Sequence, residues 1–191
     1  MRRIKQKIDA FVNIVQTIAG LSVSSTLKVG CIAVKHDFSR IASIGYNGSF
    51  AGDIAKNGVE EDSMEPGQSG FIHAEVNMIT KFRAQDPENY IVLLTHSPCN
   101  MCSKILVNAG FTQIYWISEY RDMSHISRIF NNRVQYGNIQ MLLMRMCMLH
   151  EIQVLHNNKR VMILDTLNDN TAIIILNNVP TVVDICKLSS A

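Results

Sequence analysis

Two short stretches carry residue types that do chemistry together. His73 and Glu75 stand two positions apart, and Cys99 and Cys102 stand three apart. Zinc takes imidazole nitrogen and thiolate sulfur readily. Three such protein ligands leave a fourth position open to water, the arrangement of a catalytic site. Two thiolates balance the dication, and water at the open position becomes acidic enough to react near neutral pH. Glu75 is not needed as a ligand. Beside such a water it can take up a proton and hand it on, which is general acid–base work. The candidate set is therefore His73, Cys99 and Cys102 for the metal, with Glu75 for proton transfer. Other readings exist for each half. A lone C-x-x-C also suits a redox pair or half of a structural zinc site, which His96 could close as a fourth ligand. A lone H-x-E says little. Both halves open a helix, 26 positions apart (99 − 73), with a strand between, and that joint pattern favours catalytic zinc.

The elements around these residues follow from periodicity. Ile4, Ile8, Phe11, Val15 and Ile18 recur at steps of four and three, which predicts an amphipathic helix stopped at Gly20. "KVGCIAVKHD" and "RIASIGYNG" read as paired strands joined at "HDFS". Residues 52–70 carry Gly, Pro and an acidic cluster and read as a surface lid. A helix is expected from His73 to about Ala84, ended before Asp86-Pro87. "IVLLT" is a continuous apolar run, the mark of a strand buried on both faces. "SPCNMCSKILVNAG" reads as a helix with Ser97 as N-cap, Pro98 at its first position and Gly110 at its close. "FTQIYWIS" and "IQVLH" read as strands, with the apolar helix "NIQMLLMRMCMLH" between them. Alternating strands and helices predict a three-layer α/β/α sandwich on a central mixed sheet of about five strands. The expected division is a catalytic domain over 1–157 and an extension over 158–191, where "VMILD" and "TAIIIL" suggest a β-hairpin.

Bulk properties narrow the class. A chain of 191 residues with 47% hydrophobic and 18% charged residues has enough apolar matter for a packed core. A net charge of +2 announces no long nucleic-acid partner. No run is long and apolar enough to span a bilayer, and no secretory leader is visible. A cytoplasmic location with reduced thiols is expected, so the five cysteines read as metal-binding or catalytic rather than disulfide-bonded. "IGYNGSFAG" allows an ordinary Asn-Gly turn. Its place after a strand that should open on the same cleft favours Asn47 as a ligand for a sugar hydroxyl.

These stretches resemble a known family. H-x-E with P-C-x-x-C is a recognised signature of zinc-dependent base deaminases, matched here at His73-Ala74-Glu75 and Pro98 to Cys102. With "KVGCIAV", "GYNGSFAG", "HAEVN" and "SEYRD" in the same order, the chain is similar to the cytidine and deoxycytidylate (dCMP) deaminases. It looks most like the dCMP deaminases of bacteria, eukaryotes and phages, from about Ile4 to about His156. The resemblance implies hydrolysis of dCMP to dUMP and ammonia, with one catalytic zinc per subunit and Glu75 as proton shuttle. It further implies base contacts from Val29 and from the main chain of Ala74 and Ser97. Asn47 would hold the deoxyribose, and Tyr120 and Arg121 would face the nucleotide, with Arg121 suited to phosphate. Family members commonly form hexamers, so a homo-oligomer is expected. Phe50 stands where the family usually has proline, in a loop that many members use for control by nucleoside triphosphates. Such control is left open here.

Two rival readings share the motif. A deaminase of tRNA or single-stranded DNA would carry the same zinc and Glu75, with a basic, aromatic-lined surface for flanking bases. A non-catalytic binding protein on the same fold would use the methionine-rich segment Met141 to Met148 as its surface. The small charge excess and the "GYNGSFAG" and "SEYRD" segments favour a mononucleotide over the first. The intact Glu75 favours an enzyme over the second.

Overall fold

The computed structural model describes residues 2–50, 70–146, 162–168, 171–176 and 179–184. Its first element is the amphipathic helix α1 (Arg2–Ala19), with Ile8, Val15 and Ala19 buried along one face. The sheet that follows is mixed. Strands β1 (Gly30–Lys35) and β2 (Ile41–Tyr46) pair antiparallel across the expected hairpin. Strand β3 (Tyr90–His96) lies antiparallel to β1 on its other side. Strands β4 (Gln113–Ser118) and β5 (Gln135–Asn138) then continue in parallel, giving the order β2-β1-β3-β4-β5. Six of the seven residues of β3 are buried, which is why its sequence reads as a continuous apolar run.

Alternation along β1 assigns its two faces. Cys31 and Ala33 join a core with Ala74 and Met78 of helix α2 (Ala74–Lys81) and Leu106 of helix α3 (Asn100–Asn108). Gly30, on the opposite face, lies against the main chain of α1 at Val15 and Ala19. Helix α4 (Ser124–Phe130) adds Ile126 and Phe130 to the first face. The sheet is thus covered on both sides, the expected layered α/β arrangement.

Helix α2 carries two of the candidate residues, and its seat on β2 is tight. Gly45 faces α2 so closely that a methyl there would run into the helix main chain at Ala74 and Met78. The Ser43 hydroxyl donates to Met78 O (2.7 Å), and Asn77 Nδ2 donates to Tyr46 O (2.9 Å). Gly45→Ala must push α2 outward, and overpacking of this kind costs about 1–3 kcal/mol. We expect a lower melting temperature and weaker zinc retention in G45A, read by thermal unfolding with and without chelator. A variant that melts like the parent would mean that α2 is not held against β2 in this way.

Several boundaries differ from the sequence reading. Helix α2 ends at Lys81 rather than near Ala84, because Phe82 turns extended and packs edge-on against Tyr90 and Phe111 (5.2 and 5.1 Å between ring centroids). Pro87 opens a short 3-10 turn to Asn89. Helix α3 starts at Asn100 with Cys99 as N-cap, not with Ser97 as cap and Pro98 inside. The Ser97 hydroxyl instead accepts from Tyr120 N (2.8 Å), a long-range bond that competes with capping. Gly110 does close this helix. It sits at φ +89 with Phe111 N bonded back to Leu106 O, the left-handed cap that glycine favours. The fifth strand lies at Gln135–Asn138, and the strand expected at "IQVLH" lies outside the described residues. The expected lid falls outside them too. A helix covers 139–146, with Leu142 buried and Met141 and Met144 exposed.

The chain divides into two compact units, Gln6–Leu142 and a second made of Met1–Lys5 with Leu143–Ala191. In the second unit the expected hairpin of β6 (Met162–Asn168) and β7 (Thr171–Leu176) gains a third antiparallel strand, β8 (Val179–Asp184). Among the described residues no helix is long and apolar enough to cross a membrane.

Candidate active site

The site forms where β3 and β4 end, at the carboxyl edge of the parallel strands, where α/β sheets usually hold ligands. His73 occupies the N-cap position of α2 without a capping side-chain bond. Its Nδ1 lies 3.6 Å from Cys99 Sγ and 3.4 Å from Cys102 Sγ. Sulfur at about 2.3 Å and nitrogen at about 2.0–2.1 Å from one tetrahedral ion stand about 3.5 Å apart, so the donor set fits zinc. All three ligand atoms lie within 4.8 Å of one another. Among the described residues no fourth His, Cys, Asp or Glu joins them, as an open catalytic position requires. His96 is not in the cluster. Its Nδ1 meets Thr95 Oγ1 (3.2 Å), its ring packs on Tyr120, and burial lowers its pKa.

The electrostatics fit the same purpose. Cys99 Sγ sits at the start of α3 and accepts from Cys102 N (3.5 Å). The Cys102 thiol, by donating to it, holds Cys99 down at about 3, and the His73 ring adds to this against the pull of burial. That same donation pushes Cys102 far up, reinforced by its burial and by the Glu75 charge. Two adjacent thiolates cannot both persist without a cation, and a divalent metal removes the conflict.

Glu75 is 4% exposed in the first turn of α2. Burial pushes its carboxyl up to about 7, against the opposing influence of its main-chain hydrogen bonds and of His73. A group poised there can both accept and release a proton at neutral pH. The Glu75 charge also reaches Cys31 on β1, whose fully buried thiol is kept protonated by burial first and by that charge second. The chain position of Cys31, 44 residues before Glu75 (75 − 31), gave no local signal of this neighbourhood.

The other expected residues fall as follows. Asn47 is buried, with Oδ1 accepting from Val29 N and Nδ2 donating to Leu27 O (both 2.8 Å). It therefore fixes the approach to β1 that carries Val29, and each amide atom keeps capacity for one more bond. Ala74 is buried at the start of α2, and Ser97 is buried with its N–H donated to Ser118 O (2.9 Å). Tyr120 lies beyond the end of β4, with the Arg121 guanidinium 4.8 Å over its ring. Arg121 is exposed, at the uncommon backbone φ of +52. The sequence reading did not single out His125, whose Nε2 lies 3.1 Å from Pro98 O in the loop that leads to Cys99.

Comparison with known proteins gives a consistent set of likenesses. The family model described as the cytidine and deoxycytidylate deaminase zinc-binding region matches residues 5–118. A probable deoxycytidylate deaminase of Caenorhabditis elegans is 30% identical over 119 residues, which are 61% of this chain and 59% of that protein. The chain thus spans less than two thirds of that relative's length. The dCMP deaminase of cyanophage S-TIM5, solved in complex with dCMP and dUMP, superposes with a TM-score of 0.58 at 27% identity. That match covers 72% of this chain and 98% of the phage chain. RibD of Acinetobacter baumannii matches 70% of this chain and 35% of its own, with a TM-score of 0.50 at 16% identity, a likeness of fold alone.

Proposed function

The chain belongs to the cytidine and deoxycytidylate deaminase family through its zinc-binding region, and from that premise we propose that it hydrolyses dCMP to dUMP and ammonia. The observation that carries the proposal is the placement of Glu75, buried in the first turn of α2 two residues from His73, beside the cluster of His73, Cys99 and Cys102 that could hold a metal ion. The likeness to a phage enzyme bound to dCMP and dUMP supports a mononucleotide as substrate.

His73, Cys99 and Cys102 would hold the zinc. When bound it supplies a Lewis acid that lowers the pKa of water towards neutrality. Glu75 then does the proton work. Its carboxylate takes a proton from the water that attacks C4 of the cytosine and delivers it to N3. It then takes the second proton from the new C4 hydroxyl and passes it to the 4-amino group; the C4–N bond breaks as the C4 carbonyl forms, and ammonia leaves, so one water enters for each amine lost. The main chain of Ala74 and Ser97 meets the edge of the base. The Ser97 N–H and hydroxyl oxygen are already engaged with Ser118 and Tyr120, which leaves its carbonyl to face the base. Val29 packs on the ring, and the remaining bonding capacity of Asn47 serves the deoxyribose. Tyr120 carries Arg121 on its face, and the guanidinium meets the 5′-phosphate.

Ammonia release from dCMP and from deoxycytidine, measured side by side on zinc-loaded protein, tests this reading. A charge-assisted contact to phosphate is worth about 1.5–3 kcal/mol, so dCMP is expected to win by roughly 10- to 100-fold in kcat/KM. Arg121→Ala should erase most of that margin. Equal use of the two substrates would remove the phosphate contact, and turnover of neither would overturn the proposal.

A further inference from the structure

We propose that His125 is a positioning residue for the metal-binding loop, holding Cys99 in place through the carbonyl of Pro98. The inference concerns the zinc cluster itself and draws on the deaminase reading only for its kinetic arm. A carbonyl oxygen accepts and never donates, so the His125 nitrogen 3.1 Å from Pro98 O must carry the proton. That oxygen belongs to the peptide plane joining Pro98 to Cys99. Fixing it fixes the Cα from which the Cys99 thiolate projects, because the peptide unit is planar. Proline has no N–H, so this carbonyl is the polar handle on the buried Pro98. Its other donor, Ser103 Oγ, reaches it only at 3.4 Å.

The donor is itself held. Asp122 accepts from Ser124 N (2.8 Å) and Ser124 Oγ (2.6 Å) at the start of α4, and Ile126 and Phe130 bury the far side of that helix. The segment from Ser118 to His125 therefore grips the loop at three points. Ser97 N donates to Ser118 O, Tyr120 N donates to Ser97 Oγ, and His125 donates to Pro98 O. The residues offered to the nucleotide, Tyr120 and Arg121, lie inside that grip. The loop that presents Cys99 and the loop that reads the substrate are thus one laced unit, with His125 as its last stitch. Metal ligands depend on such supporting bonds, and losing one typically costs about 10- to 100-fold in affinity or activity.

Two variants separate this role from plain packing. H125F keeps a ring in the same space and removes the donor. H125Q places an amide N–H where Nε2–H stood. Zinc affinity by chelator competition is expected to fall about 10- to 100-fold in H125F and to recover largely in H125Q. The thiolate absorption bands of the cobalt-substituted protein should shift in the same order. With dCMP, kcat should fall in H125F with a smaller change in KM. If H125F only melts earlier, with zinc affinity, cobalt bands and kcat of the folded protein unchanged, the proposal is overturned. Equal loss in H125F and H125Q overturns it as well. Should H125F not fold, H125N, whose shorter amide falls short of Pro98 O, should weaken zinc in the same sense. A parent-like zinc affinity in H125N would overturn the proposal. If the wild-type protein turns over no dCMP, the zinc and cobalt measurements still decide the question.

Discussion

Glu75→Gln should yield a folded protein that keeps its zinc and loses turnover of dCMP by about 10⁴-fold, the upper end of what general acid–base catalysis supplies. The upper end is expected because one carboxyl is assigned every transfer: from water, to N3 and to the leaving amine. Glutamine keeps the shape and can hydrogen-bond, and it cannot take up a proton. Zinc content by metal analysis and ammonia release on the same sample make the check. Retention of most activity would remove Glu75 from the mechanism, and loss of metal would make it a structural residue of the cluster.

The same substitution has a thermodynamic signature in the chelator-treated protein. Burial raises the Glu75 carboxyl from its ordinary 4.5 to about 7. The folded state then holds a proton that the unfolded chain has released, so its contribution to stability falls as pH rises from about 4.5 through about 7 and levels off above. The full displacement corresponds to about 3 kcal/mol. E75Q has no such titration. It should therefore gain on the parent across that window, with the difference constant above pH 8, as read by denaturant unfolding at pH 5 and pH 8. Parallel behaviour at both pH values would mean that the carboxyl is not desolvated.

What was legible in the sequence is what local chemistry encodes. The candidate metal ligands show because the pair of thiols opens one helix and the histidine another, which leaves a spacing. Strands β3 and β4 show because burial on both faces demands unbroken apolar runs. Strand β5 was missed because "QYGN" is four residues with a glycine and no apolar alternation, and α4 because "SHISRIF" is two turns long. The ends of α2 and α3 moved for a tertiary reason. Phe82 gains two aromatic partners by leaving the helix, and the Ser97 hydroxyl is drawn to Tyr120 N rather than to a cap. The bonds that seat the site escape any local pattern. Ser43 to Met78, Asn77 to Tyr46 and His125 to Pro98 join residues 35, 31 and 27 positions apart, and nothing in the periodicity of either segment marks its partner.

Two roles meet at Cys99, one proposed and one seen, and two substitutions should pull them apart. Its sulfur, 3.6 Å from His73 Nδ1, is one of the three ligands assigned to the proposed zinc site, and it is the N-cap of α3, accepting from Cys102 N. Serine keeps a capping oxygen but is a poor zinc ligand, and alanine keeps neither. Both C99S and C99A should lose zinc and all measurable deamination. Each should also lose the stabilisation that metal confers by binding the folded state alone, ~2.7 kcal/mol at zinc 100 times its Kd. That corresponds to roughly 5–10 °C in melting temperature for a domain of this size, and chelator should no longer shift either variant. Compared with each other in chelator, C99A should be the less stable by about 1 kcal/mol, the usual worth of an N-cap. Zinc retained in C99S at wild-type affinity would take Cys99 out of the ligand set. Equal stability of the two variants would leave it a ligand and remove the cap, so that only the metal would tie this residue to the start of α3.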